Sequence, residues 1–324
     1  MGLSIRFELH IHSNRDVRNT MHQCKMEKPA NSWISFISLA KEKVENLRTM
    51  MSRATIDNYL TALRSLHQYL GNDIALEKID SQVIKGYERW LRDRKLSLNT
   101  ISCYMRSLRS LYSKIDCGFQ TGAFDTAYTG KTKTEKKAIT EEDITRLKSV
   151  LLYPNSFLSL TRDLFLFSFY AQGMPFVDMA FLRSSQIRDG QLIYHRHKTG
   201  QRVTIHLEPC MLAIISQYQR KGSDYVFPLL CSDNPPKAYD EYLLMLNRYN
   251  HTLKTLAKKA RVTSRLTSYT ARHTWASIAF SSNVDLPDIS KALGHTNTQT
   301  TMTYIKEIND SRLEEANRRI INMI

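Results

Sequence analysis

The sequence predicts a mainly α protein in two parts: a helical N-terminal domain, then a mixed, mainly α domain with one small β-hairpin. Three observations carry this. Apolar residues recur at helical spacing from Trp33 to about Ile115. Between Gln191 and Leu207 the spacing changes to strict alternation. Helical periodicity then returns and continues towards the C-terminus.

Composition bounds the function. A chain of 324 residues exceeds what one core usually holds, and 42% hydrophobic residues can fill two. Eleven Gly and eight Pro argue against low complexity. Lys and Arg number 46 against 31 Asp and Glu, a net charge of +15. Such a surplus suits a polyanionic partner through phosphate neutralisation, or a solvated surface kept for solubility. The five cysteines are scattered without CxxC spacing, so neither a zinc site nor a disulfide framework is expected. No apolar run is long enough to span a membrane, and Met1–Arg6 carries no signal-peptide core. A cytoplasmic protein with no membrane partner is expected.

Residues 1–28 are polar and mixed and read as an arm or extension. A helical domain is expected over 29–117. Its stripes are Ile56, Tyr59, Leu60, Leu63, Leu66 and Leu70, stopped by Gly71; then Val83, Ile84, Tyr87, Trp90 and Leu91. After Ser97 come Ile101, Tyr104, Met105, Leu108, Leu111, Tyr112 and Ile115. Arg53, Arg64, Arg106, Arg109 and Lys114 fall on other faces, either as solvated charge or as a grip on backbone phosphates. Residues 118–137, with Gly118, Gly122 and Gly130 and a run of Lys131, Lys133, Lys136 and Lys137, read as a basic linker.

The second domain is expected over 138–324. Thr140 precedes three acids and caps a helix there. Leu164–Tyr170 is apolar enough for a buried helix. Leu192, Tyr194, Val203 and Ile205 alternate around His197–Gln201 as a hairpin. Helices follow at Leu212–Tyr218, Leu243–Ala260, Tyr269–Phe280, Leu286–Leu293 and Thr298–Ile305, with a last one from about Ser311.

The chemistry gathers near the C-terminus, in Tyr269-Thr270-Ala271-Arg272-His273, Leu293-Gly294-His295 and, nine positions on, Tyr304. Arg272 can hold two non-bridging phosphate oxygens in bidentate fashion, which Lys could not do equally well. Tyr269, three residues earlier, shares its helix face and could donate to the same phosphate. His295 follows a helix-ending Gly, where it can favour the helix dipole, bind phosphate or help with a proton. Tyr304 can attack phosphorus if its proton is removed, giving a phosphotyrosyl intermediate that stores the bond energy. Lys198, at the hairpin turn, could protonate a departing 5′-oxygen. This chemistry needs no metal, and no cofactor is expected. Each residue also has an ordinary reading, as packed aromatic, ion pair or solvated turn.

Together these residues resemble the tyrosine recombinase (phage integrase) family, in the form found in mobile-element integrases and DNA invertases. The resemblance spans about residues 31–324. It rests also on Ser97–Met105, Phe165–Tyr170, Gly173-Met174, Asp178–Ala180 and Lys198-Thr199-Gly200. It implies the DNA breaking-rejoining fold: a core-binding domain and a catalytic domain enclosing duplex DNA. Four protomers, monomers when free, would exchange strands through a Holliday junction, with an accessory DNA-bending protein conceivable and a place at the nucleoid. Tyr304 would be the nucleophile, Arg272 and His295 phosphate ligands, and Lys198 the general acid. Tyr269 stands where most members carry His or Lys. Arg106, Arg109, Lys131 and Lys133 would contact DNA. The Ser311–Ile324 helix would dock on a neighbour or pack in cis.

One departure matters. The family's first catalytic arginine falls here on Pro175 or Gln172, neither cationic. Losing one of two guanidinium clamps could cost roughly 10²–10³-fold in phosphoryl transfer. Arg162 or Arg183 could lean in from elsewhere. The alternative this motivates is a DNA-binding member that occupies or bridges sites without cutting; a nickase resembling a type IB topoisomerase, which shares the tyrosine chemistry, is a third reading.

Overall fold

The computed structural model describes residues 35–115, 122–132, 138–302, 317–318 and 320–322. The chain divides into two compact units between Lys133 and Thr134. The expected arm at residues 1–28 and most of the expected helix from Ser311 lie outside the described residues.

The first unit holds α1 (Phe36–Leu47), α2 (Arg53–Leu70), α3 (Ser81–Asp93) and α4 (Leu98–Lys114). Each starts on a short polar side chain that accepts an otherwise orphaned N–H. Ser35 takes that of Ser38, Ser52 that of Thr55, Asp80 those of Gln82 and Val83, and Ser97 that of Thr100. Gly71 ends α2 with φ of 76°, a conformation that costs glycine little. The stripes meet in one core, where Ile56, Leu63, Leu66, Ile84, Tyr87, Leu91, Ile101, Met105, Leu108 and Leu111 are buried. Leu60, Leu70, Val83, Trp90, Tyr104, Tyr112 and Ile115 sit at its margin. The Tyr87 hydroxyl donates to Ser65 at 2.8 Å, and burial pushes its phenol well above the ordinary value.

Asp73, between α2 and α3, fastens the start of α1. It accepts the N–H groups of Ile37 at 3.1 Å and Ile74 at 2.8 Å, and the hydroxyls of Ser38 and Ser35. Burial works to raise its pKa, but these donors together hold it below the ordinary aspartate value.

Residues 122–132, read from the sequence as linker, are held to this unit. Ala123 and Phe124 are buried in its core. The Tyr128 N–H donates to Glu88 at 3.1 Å, and the Asn99 side-chain amide pairs with the Thr132 backbone in both directions at 2.9 Å.

The second unit is built around α6 (Phe157–Tyr170), whose Leu160, Leu164, Phe165, Leu166 and Phe167 are all buried. A helix apolar on every side must be covered on every side. α5 (Glu141–Ser149), capped by Thr140, comes before it, and the short α7 (Phe176–Ala180) follows. A three-stranded antiparallel sheet comes next, β1 (Ile187–Arg188), β2 (Gln191–His195) and β3 (Arg202–His206), in the order β1-β2-β3. The expected hairpin is its β2–β3 part, with Leu192 opposite Ile205 and Tyr194 opposite Val203. These four are buried while Gln191, His195, Arg202, Thr204 and His206 face out.

Helices α8 (Pro209–Tyr218), α9 (Pro235–Lys259), α10 (Thr270–Ser281), α11 (Leu286–Ala292) and α12 (Thr298–Met302) follow. The sequence reading starts α9 at Leu243, yet the helix begins at Pro235. Asn234 caps it, and prolines in the first turn lack only N–H groups that would be unpaired anyway. Among the described residues no helix is long and apolar enough to cross a membrane.

Candidate active site

Arg272 lies in the first turn of α10. Thr267 and Thr270 set that turn: the Thr270 hydroxyl accepts the Thr267 N–H at 2.9 Å, and the Thr270 N–H returns to the Thr267 carbonyl at 3.0 Å. The Arg272 side chain is buried, at 2% exposure. Nη1 donates to the Gly173 carbonyl at 3.0 Å, and Nη2 to the Leu293 carbonyl at 2.5 Å. Nη2 also meets His295 Nε2 at 2.9 Å. A guanidinium held by fixed carbonyls is positioned before any substrate arrives.

Two glycines make this approach possible. Gly173 has φ of 75°, and a Cβ there would lie 2.8 Å from Arg272 Cα and 2.9 Å from its Cγ. Gly294 has φ of 62° and ends α11 in a Schellman turn. The His295 N–H reaches the Ser290 carbonyl and the Gly294 N–H the Lys291 carbonyl, each at 2.9 Å. That turn releases the Leu293 carbonyl from the helix and delivers His295 beside Arg272.

Because an arginine only donates, His295 Nε2 accepts in this pairing and the ring is neutral. Nδ1 then carries the proton, which it gives to Thr301 Oγ1 at 2.8 Å. Thr301 is fully buried in α12, so both ring nitrogens are committed and the ring is oriented.

A residue that the sequence reading passed over joins them. Arg196, directly after β2, is 7% exposed and donates from Nη1 to the same Leu293 carbonyl. Its Nε donates to Asp178 Oδ2 at 2.9 Å, and Asp178 Oδ1 accepts the His197 N–H at 2.8 Å. Burial raises the Asp178 pKa, opposed by the His197 N–H and the Arg196 charge. The Arg196 stem packs under Gly294, where an added Cβ would stand 3.0 Å from Arg196 Cγ. Nearby, burial pushes the Tyr194 phenol up, although Arg196 and Arg272 both oppose this.

Arg272 and His295 are thus in direct contact. Lys198 is exposed on the Arg196–Gln201 loop, two residues beyond Arg196. Tyr269 is 48% exposed, in the residue that precedes α10. Tyr304 and Lys133 lie outside the described residues. In the first unit, Arg106, Arg109 and Lys131 are exposed. Gln172 is half-buried with φ of 56°, and Pro175 is buried as the residue before α7. Neither Arg162 nor Arg183 comes to the site. Arg162 donates to Asp163 at 2.7 Å and to the Val150 carbonyl at 3.2 Å. Arg183 donates to Asp233 at 2.8 Å and lies over the Tyr225 ring.

Residues 35–114 match the family described as phage integrase SAM-like domain, and residues 137–310 the phage integrase family. Curated relatives include "Tyrosine recombinase XerC" of Rickettsia canadensis (strain McKiel), 23% identical over 290 residues, covering 85% of this chain and 91% of the relative. That of Rickettsia felis (strain ATCC VR-1525 / URRWXCal2) is 23% identical over 279 residues, covering 82% and 90%. Among solved structures, the Tn1549 transposon integrase in complex with transposon right end DNA gives a TM-score of 0.66 at 12% identity, covering 89% of this chain and 100% of that one. A lambda integrase dimer bound to a COC′ core site gives 0.65 at 14%, covering 85% and 97%. A lambda integrase tetramer bound to a Holliday junction gives 0.66 at 13%, covering 87% and 82%. At these identities the structures establish a shared fold.

Proposed function

The chain belongs to the phage integrase family of tyrosine recombinases, and on that premise we propose that it cuts and rejoins duplex DNA at specific sites through a 3′-phosphotyrosyl intermediate on Tyr304. It would act as the integrase or invertase of a mobile element. The observation that carries the reading is the Arg272–His295 pair, oriented through Thr301 on the helix that leads to Tyr304.

The chemistry follows from the groups. Tyr304 Oη gives its proton to His295 Nε2 and attacks the scissile phosphorus, the bond from phosphorus to O5′ breaks, and Lys198 supplies the proton that the departing oxygen needs. Arg272 donates to the non-bridging oxygens as charge builds on them, and His295 donates to one of them once it has taken up the Tyr304 proton at Nε2. A 5′-hydroxyl of another strand then attacks the phosphotyrosine and releases the phenol, so no high-energy cofactor is consumed. Arg106 and Arg109 on α4, with Lys131 and Lys133, contact backbone phosphates. Tyr269 donates a further hydrogen bond to the phosphate. Like the lambda integrase seen as a dimer on a core site and a tetramer on a Holliday junction, the chain assembles as a tetramer on DNA and is a monomer when free.

A nicked suicide substrate built from DNA flanking the gene tests this. The wild-type protein should form a covalent adduct that Tyr304→Phe abolishes, and an adduct that survives the substitution would remove Tyr304 from its role. A second reading, site occupation without cleavage, is favoured by the absence of a cation at Gln172 and Pro175. Specific binding with no wild-type adduct would select it.

A further inference from the structure

We propose that Arg196 is a catalytic residue that supplies the second guanidinium on the scissile phosphate, in place of an arginine at Gln172 or Pro175. The inference rests on the recombinase reading above and identifies a group that reading leaves open.

The argument is geometric. Arg196 and Arg272 come from segments far apart in sequence, yet each donates a terminal amine to one oxygen, the Leu293 carbonyl. Two donors on one acceptor lie within roughly 5–6 Å of each other, a separation that the two non-bridging oxygens of a phosphodiester can bridge. The Arg196 stem runs beneath Gly294, the residue before His295, so its head enters the cluster beside both proposed phosphate ligands. Nε is held by Asp178 and Nη1 by Leu293, while Nη2 meets no partner among the described residues. The fork is therefore fixed at two points with one amine still to place. A buried ion pair that served only to pin the hairpin would not need to share its cation with the acceptor of Arg272. The segment also carries Lys198 two residues later, so one loop would bring both a charge clamp and the leaving-group acid to the phosphate.

In the displacement the Tyr304 oxygen bonds to phosphorus as O5′ leaves, and the two non-bridging oxygens gain negative charge. Arg196 transfers no proton. It donates to one of these oxygens while Arg272 donates to the other.

The test compares Arg196→Ala and Arg196→Lys with wild type on two suicide substrates. One has a native scissile phosphate, and in the other a methylphosphonate replaces one charged oxygen by an uncharged methyl. On native phosphate, Arg196→Ala should cleave roughly 10²–10³-fold slower. On methylphosphonate, where there is less charge to offset, its deficit relative to wild type should shrink at least tenfold. Arg196→Lys, which keeps the charge without the fork, should fall between. Asp178→Asn, which loosens the hairpin but leaves the guanidinium, should show a smaller deficit that is equal on both substrates. Equal deficits for the Arg196 variants on the two substrates would show a purely structural role and overturn the proposal. So would wild-type rates in both variants. Absence of adduct with wild-type protein would instead reject the recombinase reading itself.

Discussion

Replacing Gly173 with alanine probes how closely the α10 helix approaches the turn after α6. Two costs act there. An L residue at φ of 75° carries about 1–2 kcal/mol of left-handed strain. The new methyl would also stand 2.8 Å from Arg272 Cα, a backbone atom that cannot swing aside. Overpacking of that kind adds about 1–3 kcal/mol, while the stiffer unfolded chain returns about 0.4–1 kcal/mol. The net loss is about 1–4.5 kcal/mol. Two other glycines calibrate it. At Gly294 the obstacles are side-chain rather than backbone atoms, Arg196 Cγ at 3.0 Å and Val203 Cγ2 at 3.2 Å, so alanine should cost about 1–3 kcal/mol. At Gly200 nothing lies within 4 Å, leaving strain alone, about 0–1.5 kcal/mol. Thermal unfolding of the three full-length variants should give the order Gly173→Ala below Gly294→Ala below Gly200→Ala. The first should lose roughly 2–18 °C, at about 2–4 °C per kcal/mol for a unit of this size. It should also lose more cleavage activity than the others, because its clash moves Arg272. Equal melting temperatures for Gly173→Ala and Gly200→Ala would refute the reasoning, since strain is common to both and only the backbone contact differs.

Asp73→Asn should destabilise the first unit by about 1–2 kcal/mol at pH 7, because the amide cannot match a carboxylate accepting four donors. Since the folded carboxyl titrates below the ordinary aspartate value, its stabilisation is present above about pH 4 and fades as pH falls through that lowered value. Urea denaturation of variant and wild type should therefore converge in acid, and identical curves at pH 7 would dismiss the role. The double substitution Arg106→Ala with Arg109→Ala should weaken DNA binding alike on specific and random duplexes. It should also reduce the slope of log affinity against log salt by about 2. An unchanged slope would take these side chains off the phosphate backbone.

What the sequence discloses, and what it conceals, follows from range. Caps at Ser97 and Thr140 and the stripes of α2, α3 and α4 are local, so spacing alone marks them. The Pro235-Pro236 start of α9 was passed over because proline reads as a break unless the Asn234 cap is given weight. Phe124 stands apart from any periodic pattern, so its burial required tertiary context. At the site, Arg272 and His295 stand out through their motifs. Tyr269 stands one residue before the helix and is half exposed while Arg272 is buried, a difference that comes from packing and not from spacing. Arg196 has no local signature at all: its partners, Asp178 and the carbonyl of Leu293, are 18 and 97 residues away.

The oxygen on which Arg196 and Arg272 converge belongs to the peptide group of residue 293, and every amino acid provides that atom. Exchanging the leucine alters packing yet deletes no acceptor. Drift in the side chain can therefore erase the visible letters around this centre while its anchor persists. What would remove it is a change in the path of the main chain, which makes the turn at Gly294 the more vulnerable part.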